Sequence, residues 1–332
     1  MIEPPVDRPV RFGVVGTGGI AAAFTDDLCL LEEAEVVAVG SRSQQTADAF
    51  AAAHGVERAH PTYEGLLTDG EVDVVYVATP HPWHHPVAMQ AIESGKALLV
   101  EKPFTMTGDE AQDVADAARR AGTFCMEAMW ARFNPHLVRV REVLASGELG
   151  EITTVIADHG QWFPRDRDSR LFAPELGGGA LLDLGIYPVS FASMVLGTPT
   201  RVTARASTAF TGVDAQTSIL LEHADGAHAV LTTTLRAVTP TKAVIVGTEG
   251  RLEIEGPWYA PNAFTVTPRE GTPWRYDEPH EGIGLWHEAA EVVRCLRAGQ
   301  RESPVLPLDE TVAIMRTLDE IRRQTAADLH VD

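Results

Sequence analysis

Residues Val10 to Ala21 limit the folds open to this chain more than any other stretch. Val10-Arg11-Phe12-Gly13-Val14-Val15 reads as a buried strand, and it runs straight into Gly16-Thr17-Gly18-Gly19-Ile20-Ala21. That is the G-x-G-x-x-A spacing of a dinucleotide-binding turn. The glycines let the backbone turn tightly and approach a pyrophosphate, and a small residue at Ala21 lets the next helix pack on the strand. The helix then aims its first amides at the phosphates. Gly16, Gly18, Gly19 and Ile20 are therefore candidate cofactor contacts. A strand that feeds a helix in this way belongs to a parallel sheet with crossover connections.

The pattern repeats. Val36–Gly40, Val72–Ala78, Ala97–Val100 and Thr123–Met126 read as further buried strands. Gln44–His54, Pro86–Ser94 and Gly108–Ala121 read as helices, the first two closed by Gly55 and Gly95. Alternation from Val10 to Met126 predicts a doubly wound parallel sheet. Ligands of such sheets bind beyond the strands' carboxyl ends, so the residues just after each strand are candidates. After the second strand stands Ser41-Arg42-Ser43, with no acid to bind a ribose 2′-hydroxyl. Read as a solvated turn it is unremarkable. Its position favours a 2′-phosphate contact by Arg42, with both serines as donors, and hence NADP, with NAD the alternative. Thr79-Pro80-His81 follows the third strand. His81, His84 and His85 cluster there without a carboxylate or thiol at ligand spacing, so a helix N-terminus and cofactor-lining polar groups are expected rather than a metal. After Ala97–Val100 come Glu101, Lys102 and Pro103. An ammonium held at the ligand edge by a following proline is a functional candidate.

Beyond Arg132–Ser146, read as a helix closing at Gly147, the pattern changes. Glu151–His159, Arg201–Thr208, Thr217–Glu222, Ala227–Leu235, Lys242–Gly247 and Arg251–Glu255 read as strands, with turns at Ala224-Asp225-Gly226 and Thr248-Glu249-Gly250. A mostly antiparallel second domain is expected, so residues 8–127 form the dinucleotide domain and 128–332 the substrate and assembly domain. Two late helices, Leu285–Leu296 and Thr311–Ile321, carry apolar stripes that read as core. Too few helices remain to cover both faces of the sheet, which predicts a homodimer or homotetramer through its open face. One long loop, Gly160–Gly179, carries Trp162, Phe163, Arg165, Arg167 and Arg170 before Gly177-Gly178-Gly179. Trp162, Phe163 and Arg165 are substrate-binding candidates, suited to stacking and to hydroxyl recognition. Ala180–Tyr187 then reads as a helix start with Asp183 and Tyr187 four apart on one face. They are either a proton-handling pair or a half-buried tyrosine capped by Asp183. Pro188 either kinks this helix or opens a new one.

Charge and cysteine content exclude several classes. With 27 basic against 47 acidic side chains the net charge is −20, which opposes binding to nucleic acid or an anionic membrane. Three scattered cysteines, Cys29, Cys125 and Cys295, point to no disulfide framework and to a reducing cytoplasm. Met1 to Pro9 is polar and proline-rich, unlike a signal peptide. No apolar run approaches the roughly 18 residues of a membrane span.

Taken with Glu101-Lys102-Pro103, Thr79-Pro80-His81 and His84, and Asp183-Leu184-Gly185-Ile186-Tyr187, the glycine turn resembles the Gfo/Idh/MocA oxidoreductases over nearly the whole chain. Many members have histidine where this chain has Tyr187. That difference, with Met126–Phe133 and Gly177–Asp183, is similar to the branch of dimeric dihydrodiol dehydrogenases and NADP-dependent D-xylose 1-dehydrogenases. The resemblance implies a Rossmann domain plus an open-faced antiparallel sheet, and a cis bond before Pro103. It implies hydride transfer between a nicotinamide and a carbinol carbon of a sugar or cyclic diol. A free tyrosine, with a pKa near ~10, is a poor base at neutral pH unless an ammonium favours its phenolate. Tyr187 is therefore assigned as acid/base, Lys102 as its electrostatic partner and Asp183 as a positioning group, with Glu101 and His84 in the cofactor surroundings. A keto-sugar reductase or inositol-type dehydrogenase would use the same residues. A non-catalytic NAD(P)-sensing regulator is the alternative from another class.

Overall fold

In the computed structural model, residues 8–328 are described, so most of the N-terminal stretch read above for targeting lies outside the described residues. Contacts divide the chain into two compact units. Described residues up to Phe133 form the first with Glu281–Val312. Asn134–His280 form the second with those from Ala313 on.

The first unit is built on six strands: β1 (Val10–Val15), β2 (Ala34–Gly40), β3 (Arg58–His60), β4 (Val74–Val77), β5 (Ala97–Glu101) and β6 (Cys125–Ala128). All pair in parallel, in the order β3-β2-β1-β4-β5-β6. Strand order reverses between β1 and β4, the place where such sheets bind ligands. Helices α1 (Gly19–Asp27), α2 (Gln44–His54), α3 (Tyr63–Leu67), α4 (His84–Glu93) and α5 (Gly108–Ala121) connect them. β4, β5 and β6 are almost wholly buried, as expected of strands covered on both faces. Phe24 stacks on Tyr76 at 3.9 Å between ring centroids, pinning α1 to β4. Helix α8 (Trp286–Arg297), far along the chain, also belongs to this unit. The Asp27 carboxylate caps it by accepting from the amides of Ile283, Gly284 and Trp286 at 2.8, 3.1 and 3.1 Å.

The second unit holds an eight-stranded sheet: β7 (Ile152–Gly160), β8 (Arg201–Thr208), β9 (Asp214–Glu222), β10 (His228–Thr234), β11 (Ala243–Gly247), β12 (Gly250–Ile254), β13 (Phe264–Pro268) and β14 (Trp274–Tyr276). Its order is β14-β13-β12-β11-β7-β10-β9-β8. Every pairing is antiparallel except β7 with β10. The two expected hairpins, β9–β10 and β11–β12, form at the expected turns. The short strands β13 and β14, the second of them at the sheet's edge, were not expected; each is brief, and Pro268 ends the first. Helix α6 (Pro135–Ser146) starts after a 3₁₀ turn at Trp130–Phe133, so the single helix expected from Arg132 is two pieces. Pro135 supplies the break at the helix's first position. Helix α7 (Ile186–Leu196) packs on β7, β10 and the sheet's inner face. α9 (Leu308–Thr325) follows late in the chain.

On the sheet's other face, pairing places Leu220, Val230, Ile156 and Val244 side by side across four strands. Ile156 and Val230 are 47% and 49% exposed. Among the described residues one helical stretch, Pro174–Leu196, has a membrane span's length and apolarity, and 78% of its most apolar window is buried inside the fold.

Candidate active site

At the end of β1 the backbone turns at Gly16 with φ +114°, and a Cβ there would lie 2.5 Å from the Ala78 carbonyl oxygen. No residue with a side chain fits. Gly18 caps α1 in extended geometry without a side-chain hydrogen bond, and neither Gly18 nor Gly19 has an atom within 4 Å of where a Cβ would sit. The first amides of this nine-residue helix have no intrahelical acceptor, and no Cβ crowds the backbone at Gly18 and Gly19, the donor set and the room a pyrophosphate needs. Ala21 is fully buried against the sheet and Ile20 is partly exposed beside the turn. These residues fit a dinucleotide.

After β2, Ser43 caps α2 by accepting from the Thr46 amide at 3.2 Å. The hydroxyls of Ser41 and Ser43 lie 2.6 and 2.8 Å from that of Thr46. Both serines, expected as phosphate donors, are engaged with the first turn of α2. Arg42 between them is exposed and makes no ion pair among the described residues.

Beyond β4, Thr79 is buried and His81 opens a 3₁₀ turn led by Pro80. His84 is fully buried, its two ring nitrogens each 2.8 Å from a carbonyl oxygen, Thr79's and Pro103's. It ties the loop after β4 to the turn after β5. In that turn the Lys102–Pro103 bond is cis, as the resemblance implied. Glu101 accepts from the Tyr76 hydroxyl and from the Lys102 amide. Lys102 itself is half-buried.

Two acids behind this turn escaped the sequence reading. Glu127 on β6 accepts from the Phe104 amide at 3.1 Å and the Thr311 hydroxyl at 3.2 Å. Burial pushes its carboxyl up to about 7, against the pull of those two donors. Glu288 on α8 is wholly buried with neither carboxylate oxygen hydrogen-bonded, and burial, then Glu101 and Glu127, raise its carboxyl well above the ordinary range. Each had a signal: an acid within the apolar run Cys125–Ala128, and an acid four residues before Val292 on an apolar stripe.

In the second unit, Gly179 has φ +119°, and a Cβ there would lie 2.2 Å from the Asp214 carboxylate. That carboxylate accepts from the Leu181 amide at 2.8 Å and the Thr217 hydroxyl at 3.0 Å, capping the helical segment that follows. The segment opens as one turn of π-helix, Leu181–Gly185, and continues as α7. Pro188 falls inside this continuous helical segment and brings no N–H to it, just after the change from π to α geometry. Asp183 is buried and pairs with Arg170 at 2.8 Å. Tyr187 is 7% exposed, with the rings of His159 and Tyr259 each 5.1 Å away. Gln161 reaches both neighbours, 3.0 Å from the His159 ring and 3.2 Å from the Tyr259 hydroxyl. Neither His159 nor Tyr259 was singled out in the sequence. His159 had the signal of lying at the inward end of a strand, and Tyr259, in an irregular stretch, had none. Trp162, Phe163 and Arg165 come together at a separate pocket of about 320 Å³ with Phe172, Phe210 and Arg236.

Residues 10–129 match the oxidoreductase family with an NAD-binding Rossmann fold, GFO_IDH_MocA, and residues 137–253 match the GFO/IDH/MocA C-terminal domain. Trans-1,2-dihydrobenzene-1,2-diol dehydrogenases from Xenopus laevis and Mus musculus are 35% and 36% identical to this chain over 326 residues. The alignments cover 95% of this chain and 97% and 96% of theirs. An aldose-aldose oxidoreductase from Caulobacter crescentus has the same fold, with a TM-score of 0.87 at 24% identity over 96% of this chain and 98% of its own. A 3-ketoreductase from Actinomadura kijaniata, solved with NADP and TDP-benzene, superposes with a TM-score of 0.84 at 25% identity and the same coverage. The chain belongs to the Gfo/Idh/MocA oxidoreductases. Within that family it is an NAD(P)-dependent dehydrogenase acting on CH–OH groups.

Proposed function

We propose that the protein transfers a hydride between NADP and a carbinol carbon of a cyclic trans-diol or an aldose. The observation that carries the substrate class is the chain-long similarity to trans-1,2-dihydrobenzene-1,2-diol dehydrogenases. Arg42, with no acid after β2, supports NADP over NAD. When bound, the nicotinamide supplies the hydride acceptor. The amides at Gly18 and Gly19 hold the pyrophosphate, and Thr79, Pro80, His81, His84 and Glu101 shape the loops around the rest of the cofactor.

In this reading Tyr187 takes the proton from the substrate hydroxyl. The Lys102 ammonium favours the phenolate and orients the oxygen. Asp183, held by Arg170, accepts from neighbouring substrate hydroxyls. The rings of His159 and Tyr259 exclude water from the phenol and fix its direction. Residues 8–127 hold the dinucleotide, and 128–332 hold the substrate and assemble the protein as a dimer or tetramer through the open sheet face. Three cysteines without a disulfide among them fit a cytoplasmic protein.

The test is reduction of NADP⁺ and NAD⁺ by purified protein with a panel of trans-cyclohexanediols, dihydrodiols, aldoses and inositols. Turnover with NADP⁺ and a diol or aldose is expected. No turnover with any compound, alongside tight NADP binding, would contradict the enzyme reading and favour a sensor.

A further inference from the structure

The loop after β7 folds over the 320 Å³ pocket of the second unit, a volume at the lower end of small-molecule sites. Its floor is apolar. Phe172, Ala215 and Leu235 belong to one buried cluster, and Phe163 and Phe210 pack against it. Its rim is cationic, through Arg165 and Arg236. Arg165 and Arg167 both lie over the Phe210 ring, at 4.6 and 5.6 Å.

Arg165, Arg167 and Arg236 make no ion pair among the described residues, although acids outnumber bases 47 to 27 and Asp166 and Asp168 alternate with the first two. Arg170, a few residues on, is paired with Asp183. Two unpaired guanidinium groups on the lining of one apolar pocket, and a third over its Phe210 ring, set up a positive field there, and an anion seated among them would be favoured. A planar carboxylate suits a guanidinium's paired donors. The aromatic floor and Trp162, 61% exposed at the edge, suit a flat apolar ring. A bare aldose, with a hydroxyl on nearly every carbon, would leave those hydroxyls against the apolar floor without partners.

We propose that this pocket receives the part of the substrate remote from the reacting carbon, and that this part is an apolar ring bearing a carboxylate. The inference rests on the reading of Tyr187 as the reacting group. The same buried cluster contains Leu184, which lies between Asp183 and Gly185 on the segment leading to Tyr187. The pocket floor and that segment are therefore one packed piece.

Titration calorimetry at low ionic strength, with benzoate and its neutral counterpart benzyl alcohol, tests the site without turnover. Benzoate is expected to bind at least tenfold tighter. Arg165→Gln and Arg236→Gln should each weaken benzoate about fivefold or more and leave benzyl alcohol unchanged. Both are exposed, so the fold should survive. In the coupled assay, kcat/KM for a carboxylate-bearing cyclic diol should fall in the same variants. Arginine-dependent benzoate binding with no turnover of any diol would support the pocket and overturn the reaction. Turnover of neutral diols, with benzoate binding no tighter than benzyl alcohol or indifferent to both arginines, would overturn the pocket and leave the reaction standing.

Discussion

Arg42 is exposed just after β2, where a carboxylate would bind a ribose 2′-hydroxyl and this chain has none. If it binds the 2′-phosphate, Arg42→Ala removes a charge-assisted contact worth roughly 1.5–3 kcal/mol, so the NADP/NAD preference in kcat/KM should fall at least tenfold. An unchanged preference would remove Arg42 from the assignment. Ser41 and Ser43 looked equivalent to it in the sequence. Only the structure shows their hydroxyls engaged with Thr46. Glu127, inside Met126–Phe133, is not marked as a buried acid by its neighbours, because its two donors, Phe104 and Thr311, are remote in sequence. Its carboxyl moves from 4.5 to about 7 on folding. The folded state therefore holds this proton more tightly. The contribution is fully present below pH 4.5 and is lost as pH rises through 7, by on the order of 3 kcal/mol. Glu127→Gln keeps an acceptor for the Phe104 amide and cannot ionise. Denaturant midpoints should therefore decline less from pH 4.5 to 7.5 in the variant than in the parent. Parallel curves would contradict the raised value.

Helices with both ends marked were legible as elements. Gln44–His54 and Gly108–Ala121 form as read, each bounded by a capping hydroxyl and a left-handed glycine. The segment carrying Asp183 and Tyr187 was legible only as a helix start. Its π-helical opening depends on Asp214, on a different strand, accepting from the Leu181 amide. That partnership has no sequence period. Asp214→Ala would leave the Leu181 amide and the Thr217 hydroxyl without their acceptor inside the fold. A loss of about 1–3 kcal/mol in unfolding free energy is expected from denaturant titration. Gly179→Ala should also destabilise, since its Cβ would meet the same carboxylate at positive φ. Stability unchanged in both variants would mean that this cap does not hold the segment.

Across the whole molecule, five of the six parallel strands could be read one by one, because buried parallel strands are short continuous apolar runs; β3, an edge strand of three residues without such a run, was not expected. The second sheet was legible in class but not in extent. β13 and β14 are short strands at one end of the sheet whose pairing is decided by neighbours rather than by their own composition. α8 joins the first unit through partners remote in sequence, among them Asp27, more than 250 residues earlier. The open face predicts association. Ile156→Lys with Val230→Lys places two charges in its apolar row, so sedimentation at micromolar concentration should shift from oligomer to monomer. A parent protein already monomeric would contradict the assembly. If Tyr187 handles the substrate proton with Lys102 as its partner, single-turnover reduction of NADP⁺ by Tyr187→Phe should show a chemical step slowed by roughly 10²–10⁴-fold. NADP affinity should be unchanged, and Tyr187→Phe with Lys102→Met should be little slower than either single variant. Near-normal turnover in Tyr187→Phe would contradict that role of Tyr187.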